Sequence, residues 1–568
     1  MSISASAPWL NFYGDIPANL EYPALSMYQM VARTAQKFPS NIAYDFMGKK
    51  ISYPQLVKRL DWTAKALVEL GIQKGDRVTI CMPNCPQAVD CFYALNRLGA
   101  VSTMIHPLSA PSEILFYIQN SKSKAILTLD QFYPKLSEIQ SDLPNNFTIL
   151  IAKIKNEFPP ALALGFQLTK QRKLPKLPKT GYTLWTDFLA KGKTSNKSLP
   201  PVDSDPSAVA SILYSGGTTG TNKGIMLTNY NFNALALQTI AASGLPPLCT
   251  LKMLAVMPIF HGFGLGIGIH TALVGGAVCI LVPQFSLDNY AKLLVTTRPN
   301  IISGVPTLFE ALLSSKRLEN ADLSHLLGVY SGGDTLSVPL KKRMDDFLSA
   351  HKSPTQIREG YGTTECVTAS CLTPVTMAKS GSIGIPYPDT FYKIVKPGTL
   401  EELPANMDGE ICISGPTVML GYLDNEKETA DTLCRHLDGR VWLHTGDLGQ
   451  IDDDGFIYFK QRIKRVIISS GYNVYPSQLE NVLECHESVN ISCIIGVKDS
   501  YKGQKVKGYV VLKDGFAPSE ELRANILAHC KKHIAKYAWP YDIEFRAELP
   551  KTKVGKIAYR VLEEEANQ

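Results

Sequence analysis

The chain is expected to be an α/β protein: a large amino-terminal part of doubly wound sheets with a small β-rich subdomain, then a small, mobile α+β domain. Three observations predict this. Helical and strand periodicities alternate through residues 25–105, the βαβ rhythm that covers a parallel sheet on both faces. A loop dense in glycine and threonine, Ser215-Gly-Gly-Thr-Thr-Gly-Thr-Asn-Lys-Gly224, follows directly on an apolar strand at 208–214. After about residue 390 the strands shorten, and from Val466 the pattern reads β-α-β-β-α-β, enough for a separate domain. The boundary is drawn between 1–463 and 464–568.

In chain order, 27–38, 53–70 and 88–98 carry apolar residues at helical spacing, and 77–81, 99–104 and 124–129 read as strands between them. Residues 156–179 change character: an apolar run at 158–168 is followed by Lys170, Arg172, Lys173, Lys176 and Lys179. Two readings stand side by side here, a segment that adsorbs to an anionic bilayer surface and a surface loop with a few anchoring leucines. Residues 191–206 form a loop into the strand 208–214. The glycine loop then runs toward a helix from Asn229, the expected setting for an anion site at the carboxyl end of a parallel strand. Further strands at 254–261, 301–305 and 328–333 end in polar or glycine turns, so several strand ends converge on one crevice. The stretch 253–287 has no Asp, Glu, Lys or Arg, but Pro258, His261 and its glycines mark it as buried core rather than a membrane span. Short strands at 392–395, 409–414, 442–444 and 456–459 build the β-rich subdomain, and Leu522, Ile526, Leu527, Cys530 and Ile534 stripe a helix of the last domain.

Composition excludes several classes. At 568 residues, 45% apolar and 19% charged, the chain is an ordinary globular protein too long for one core. A net charge of +7 admits an anionic ligand, but no aromatic-basic motif points to nucleic acid. Twelve cysteines include no CxxC pair, and the spacing of Cys81, Cys85 and Cys91 without a nearby histidine argues against zinc. They are expected to be reduced thiols of a cytoplasmic protein, and Met1-Ser-Ile-Ser-Ala-Ser-Ala has no signal-peptide pattern.

The glycine loop suits a polyphosphate: glycines let backbone N–H groups converge on oxygens, hydroxyls add donors, and Lys223 adds charge. It is not a P-loop, because Lys223 is followed by Gly224 rather than Ser or Thr. An ordinary glycine-rich turn is the other reading. Four more segments follow it: Glu359-Gly-Tyr-Gly-Thr-Thr-Glu365, His444-Thr-Gly-Asp447, Arg462-Ile-Lys-Arg-Val-Ile-Ile-Ser-Ser-Gly-Tyr-Asn473, and Pro550-Lys-Thr-Lys-Val-Gly-Lys556. In this order and spacing, from about residue 25 to 562, they resemble the adenylate-forming (AMP-binding) superfamily, and most closely its bacterial long-chain fatty acyl-CoA ligases.

That resemblance implies a two-step reaction, in which a carboxylate attacks the α-phosphorus of ATP and a thiol, usually that of coenzyme A, then displaces AMP. Charge builds on phosphate oxygens, so the site needs cations and N–H donors rather than a protein nucleophile. The resemblance places Ser215, Gly216, Gly217, Thr218, Thr219, Gly220 and Lys223 on the β/γ-phosphates, and Mg²⁺ on Glu365 with the Ser215 hydroxyl. It sets Tyr361 against adenine, flanked by Gly362 and Thr363, with Thr364 on the α-phosphate and Gly333 and Asp334 along the adenine edge. Asp447 and Arg462 would hold the ribose. Lys556 would bridge the entering carboxylate and the α-phosphate, and Lys464 would be the hinge between the two poses. Arg465, Gly471 and Tyr472 would line the path of coenzyme A. Two departures are Gln461, where relatives generally have Gly or Asp, and Asp334, where many have Ala or Glu.

The acyl pocket is expected among His261, Phe263, Gly264, Val305, Ser331, Gly332 and Gly360, with Gly264, Gly266 and Gly268 leaving room for a channel. No cation there greets a second carboxylate and no Asp follows Phe260 to meet an ammonium, so the acid is apolar. The segment 155–189 resembles the matching part of the long-chain ligases and tilts the choice to a fatty acid over an aryl or sterol-like one. Three rivals stand beside this: an acyl-AMP ligase loading a carrier protein, a luciferase-like oxygenase, and an adenylate-binding membrane scaffold without activity. The chain end Glu-Ala-Asn-Gln568 lacks the peroxisomal Ser-Lys-Leu, and Glu365 and Lys556 are both present.

Overall fold

The computed structural model describes residues 7–567 except 203, 217–221, 285, 470–471, 500–501 and 553–554. Capping explains where its first helices begin. Ser26 and Ser52 each accept a hydrogen bond from the backbone of the glutamine three residues on, Gln29 and Gln55. Each glutamine side chain accepts one back, starting Met27–Lys37 and Tyr53–Glu69. The third helix starts at Pro86, two residues earlier than its periodicity suggests, because proline is preorganised for the first turn. Every residue of Pro86–Arg97 is buried, and its one carboxylate, Asp90, is matched by Arg59 at 2.6 Å.

Two large sheets carry the amino-terminal part. One has eight strands, with Val209–Gly216, Val101–Met104, Arg77–Cys81, Ala125–Leu129, Thr148–Ala152 and Thr183–Leu184 all parallel. The other has nine, with a parallel run through Ile357–Tyr361, Gly328–Ser331, Ile301–Gly304, Lys252–Ala255, Val278–Leu281 and Ile42–Phe46. Helices between them contribute to one core shared by both sheets. A five-stranded sheet built on Val441–Ile451 follows, and a second one from Ile467 to Phe545 has its own apolar core around Leu483, Ile494, Val510 and Ile526. The last unit adds to the expected pattern a short strand, Tyr472–Val474, and a closing helix, Tyr559–Asn567.

Two expectations are corrected. The glycine loop does not run toward a helix; Asn222–Thr228 returns antiparallel to Val209–Gly216, pairing Ser215 with Lys223, and only then does the helix Asn229–Ser243 begin. The inward residues Ile225 and Leu227 alternate with the half-buried Met226, which is a strand's pattern. The stretch after Ala255 is not a longer strand. It leaves the sheet at Val256 and winds into a nine-residue π-helix, Phe263–Thr271. Gly264 and Gly266 within that helix serve contact rather than a channel. A Cβ on Gly264 would lie 2.1 Å from the Pro258 carbonyl oxygen, and one on Gly266 would lie 2.7 Å from Leu235.

Arg358 ties these layers together just ahead of the Glu359–Glu365 segment. Its guanidinium donates to the carbonyls of Thr373 (2.8 Å), Ser243 (2.5 Å) and Ala242 (2.9 Å), closing the carboxyl end of the helix Asn229–Ser243.

Candidate active site

Where the parallel strands of both large sheets end, a cavity of about 1000 Å³ opens. Met104 and Ser215 reach it from the first sheet, Ser331 and Tyr361 from the second, and Lys556 and Ile557 from the last unit. Most of the site residues expected from sequence line it: Ser215, Lys223, His261, Phe263, Ser331, Gly332, Gly333, Asp334, Gly360–Glu365, Asp447, Arg462, Lys464, Arg465 and Lys556. Gly264 and Val305 do not; Gly264 is a packing glycine, and Val305 stands behind Gly333, 3.6 Å from where a Cβ there would be. Gly217, Thr218, Thr219, Gly220 and Gly471 lie outside the described residues, as does the side chain of Tyr472, and Gly216 ends the strand Val209–Gly216.

The ribose end is built by strand register. Asp447 on Val441–Ile451 faces Arg462 on Ile457–Arg462. Arg462 Nε stands 2.9 Å from Asp447 Oδ1, and Tyr361 Oη donates to Oδ2 at 2.5 Å. Oδ1 accepts no aligned hydrogen bond although Asp447 is fully buried, so the site holds an acceptor without a donor. Burial pushes the Asp447 carboxyl up, against Arg462 and the tyrosine hydroxyl, which hold it down. A vicinal diol is the kind of group that this acceptor suits. The Tyr361 ring, 5.8 Å from that of Phe459, forms a wall of the cavity while its hydroxyl is spent on Asp447.

At the phosphate end, Glu365 accepts from Tyr422 Oη at 2.9 Å, and Thr364 starts the short turn Thr364–Cys366 beside it. Lys223 forms an ion pair with Glu428 and lies over the Tyr422 ring. Neither Glu428 nor Tyr422 was legible as part of the site, because no motif contains them; they arrive through the strand Gly421–Tyr422, which pairs with Ile225 and Met226.

Lys556 enters on a tight turn. Gly555 takes φ +85°, and its carbonyl accepts a 2.8 Å hydrogen bond from Thr307 Oγ1 on the large part. The lysine chain lies against Gly333, 3.6 Å from where a Cβ would stand, a close approach that a larger residue would narrow. Burial lowers the Lys556 ammonium below its usual range, with Asp334 and Asp447 opposing. His261, half-buried and near Lys556, is held down to about 3 by desolvation, so its imidazole is neutral at any working pH. Lys464 sits in the single 3₁₀ turn Ile463–Arg465 that joins the last strand of the subdomain to the last unit.

One assignment changes. Arg465 is committed within the last unit: it pairs with Glu480, donates to the Ile494 carbonyl at 3.3 Å and covers the Tyr559 ring. These partners belong to the same unit, so the guanidinium is a fastener there rather than a cation open to coenzyme A.

Glu359, buried at the base of the cavity, accepts from the Leu336 N–H at 3.1 Å. Burial raises its carboxyl to about 8, with Lys341 and the Leu336 N–H opposing. The folded chain then holds a proton that the unfolded chain has lost above the ordinary glutamate range near 4.5. Stability therefore falls as pH rises through the window from about 4.5 to 8. Glu359→Gln is expected to flatten the pH dependence of Tm across that window and to raise Tm at its alkaline end. An unchanged pH profile in thermal melts would refute this.

Known proteins match this chain over most of its length. The AMP-binding enzyme family model matches residues 31–423, and the AMP-binding enzyme C-terminal domain matches 478–556. The chain is 34% identical over 579 aligned residues to the long-chain-fatty-acid–CoA ligase of Bacillus subtilis, covering 100% of this chain and 99% of the relative. Identity to the Salmonella typhimurium long-chain-fatty-acid–CoA ligase is 32%, with 98% of each chain covered. Among solved structures, ATP-bound MatB from Rhodopseudomonas palustris superposes with a TM-score of 0.79 at 26% identity, covering 95% of this chain and 98% of MatB. The anthranilate CoA ligase AuaEII with anthranoyl-AMP gives 0.84 at 24%, covering 98% of each, which bears on the fold alone.

Proposed function

The chain belongs to the AMP-binding enzyme family and is an acid:CoA ligase acting through an acyl-AMP; from that premise we propose that its acid is a long-chain fatty acid. The depth of the cavity carries this reading. Ser331 and Gly332 line it at the carboxyl end of one strand, while Met253, Ala277 and Ile301 line it at or beside the amino ends of neighbouring parallel strands. Four-residue strands are about 13 Å long. Leu245, Leu248, Ile267 and Ala272 complete an apolar wall along that length, which an extended alkyl chain would fill and an aryl acid would not. The similarity to long-chain ligases over the whole chain supports the same substrate.

AMP release with coenzyme A, measured across acids from acetate to stearate with benzoate, cinnamate and a sterol acid alongside, tests the proposal. The highest kcat/KM is expected with a long-chain acid, and a maximum on an aryl acid would overturn it. Ala272→Phe, at the far end of the channel, is expected to lower kcat/KM for palmitate at least about tenfold and to spare octanoate. Equal loss on both acids would refute the channel.

In this reading the acid's carboxylate lies beside Gly332 and Gly333, and Lys556 offsets its charge and that of the α-phosphate as they meet. Asp447 accepts the ribose hydroxyls, Arg462 keeps the Asp447 carboxylate charged, and Thr364 donates toward the α-phosphate. The 217–221 loop and Lys223 take the outer phosphates once Glu428 gives up the lysine. Magnesium fits the oxygen donors here, and Glu365 with the Ser215 hydroxyl would hold it, where it would offset phosphate charge.

Among the described residues no helix is long and apolar enough to cross a membrane. A surface contact is a separate proposal. Glu157 is pinned by Arg59 and Lys49, and Phe158 stacks on Phe46, so the base of the segment is fixed. The helix Pro160–Thr169 beyond it buries no residue; Leu164 is 59% and Leu168 58% exposed, with Lys170, Arg172 and Lys173 next in the chain. Exposed leucines beside cations suit an anionic bilayer surface. Leu164→Glu with Leu168→Glu is expected to reduce co-sedimentation with phosphatidylglycerol vesicles severalfold, and undiminished binding would leave the segment a plain surface loop.

A further inference from the structure

The five-stranded sheet beside the ribose end carries a set of ligand atoms that the ligase reaction does not use. Cys412 and His444 are direct partners on adjacent antiparallel strands, so their side chains share one face. His436, just beyond the strand Leu433–Arg435, comes to the same face. Ligand atoms of Cys412, His436 and His444 all lie within 4.8 Å of one another, with the cysteine fully buried and His436 5% exposed.

The hydrogen bonds around the two histidines are compatible with metal ligation. Glu410 Oε2 accepts from His444 Nδ1 at 3.0 Å, which fixes that tautomer and leaves the Nε2 lone pair pointing at His436. The two Nε2 atoms stand 2.9 Å apart, so His436 donates its proton into that lone pair. Its own Nδ1 is buried without a hydrogen-bond partner. Moving the His436 proton to Nδ1 therefore breaks no bond there, and it turns two imidazole lone pairs toward one point beside a thiol. Two nitrogens on one tetrahedral zinc ion are about 3.3 Å apart, a small opening of the present pair.

We propose that Cys412, His436 and His444 bind a divalent cation of borderline softness, zinc in class, with Glu410 positioning His444 and a fourth place left for water. Burial and Glu410 hold the Cys412 thiol up, with Lys393 opposing, so the ion itself would have to draw off the thiol proton. His444 and Glu410 also line the large cavity, which gives the ion its entry path. Glu410 Oε1 holds the Gly446 N–H at 2.9 Å, one residue before Asp447, so occupancy would brace the strand that presents the ribose acceptor.

The test is a Co²⁺ titration of the full-length, chelator-treated protein under a thiol-free reductant. One equivalent is expected to bind with a thiolate-to-cobalt charge-transfer band and intense tetrahedral d–d bands. Cys412→Ser should abolish the charge-transfer band, and His436→Gln should weaken Co²⁺ binding at least about tenfold. Zn²⁺ should raise the Tm of the parent and leave that of His436→Gln unchanged. Thermal melts of both variants without metal establish that they fold, and His436→Gln alone decides the matter if Cys412→Ser does not. Absence of the charge-transfer band in the parent would overturn the proposal. So would parental binding in both variants, which would put the ion elsewhere.

Discussion

Lys556→Ala is expected to lower acid-dependent ATP–pyrophosphate exchange on the order of 10²–10³-fold, while the variant still converts supplied acyl-AMP and coenzyme A to acyl-CoA. The reasoning is electrostatic. Two anions, a carboxylate and a phosphate, must come into contact in a buried cavity, where like charges are screened poorly. Among the described residues Lys556 is the cation that the last unit brings to Gly333, and Asp334 and Asp447 oppose the loss of its charge that burial favours. Its turn is held by backbone groups: the Gly555 carbonyl on Thr307 and the Lys556 N–H on Thr552 Oγ1. Truncating the side chain therefore leaves the turn in place. Displacement of AMP by a thiol separates charge already created and makes no comparable demand. Exchange at the parental rate, or equal loss of both half-reactions, would reject the role.

What was legible in the sequence divides along physical lines. Capping boxes at Ser26 and Ser52 and the apolar run Arg77–Cys81 signal their elements locally, so these ends were readable to within a residue. The antiparallel return of Asn222–Thr228 was not, because a glycine loop leads equally well into a helix or a hairpin. No composition separates a π-helix from an α-helix, and the packing of Gly264 against the Pro258 carbonyl is fixed only by tertiary contact. Tyr361 and Lys556 come together because one ends a strand and the other sits on a tight turn, and Asp447 joins them from within Val441–Ile451, just after the positive-φ Gly446. Residues read from neighbourhood alone fared differently: Arg465, next to the proposed hinge lysine, is tied to Glu480 and the Tyr559 ring of its own unit. The channel residues Ala272 and Ala277 and the cluster at Cys412 were invisible, since strand order and register decide which side chains meet.

Lys464→Pro is expected to reduce overall acyl-CoA formation at least about a hundredfold while acid-dependent exchange survives within about tenfold. Lys556 lies at Gly333, in the space a thiol needs to reach an acyl carbonyl there, so with the proposed hinge this is the adenylating arrangement. For the second half-reaction the last unit would then swing away, and one 3₁₀ turn, Ile463–Arg465, connects it to the strand Ile457–Arg462. Among the described residues, bonds that resist the swing include Thr307 to Gly555 near the cavity and, close to the turn, the Ser477 N–H to Gln461 Oε1 at 3.3 Å and the Ser477 hydroxyl to the Lys460 carbonyl. Rotation has to be absorbed by φ and ψ within that turn. A residue of 3₁₀ conformation already has φ near that of proline, so proline at 464 fits this pose and forbids excursions from it. Its cost here is at Ile463, which a following proline pushes out of the helical region, and that sets the modest loss in exchange. Lys464→Ala separates charge from backbone: it keeps φ free, so it should retain most of the thiol step if rotation is what proline blocks. Loss of both half-reactions to the same degree in Lys464→Pro, or a thiol step as impaired in Lys464→Ala, would place the hinge elsewhere.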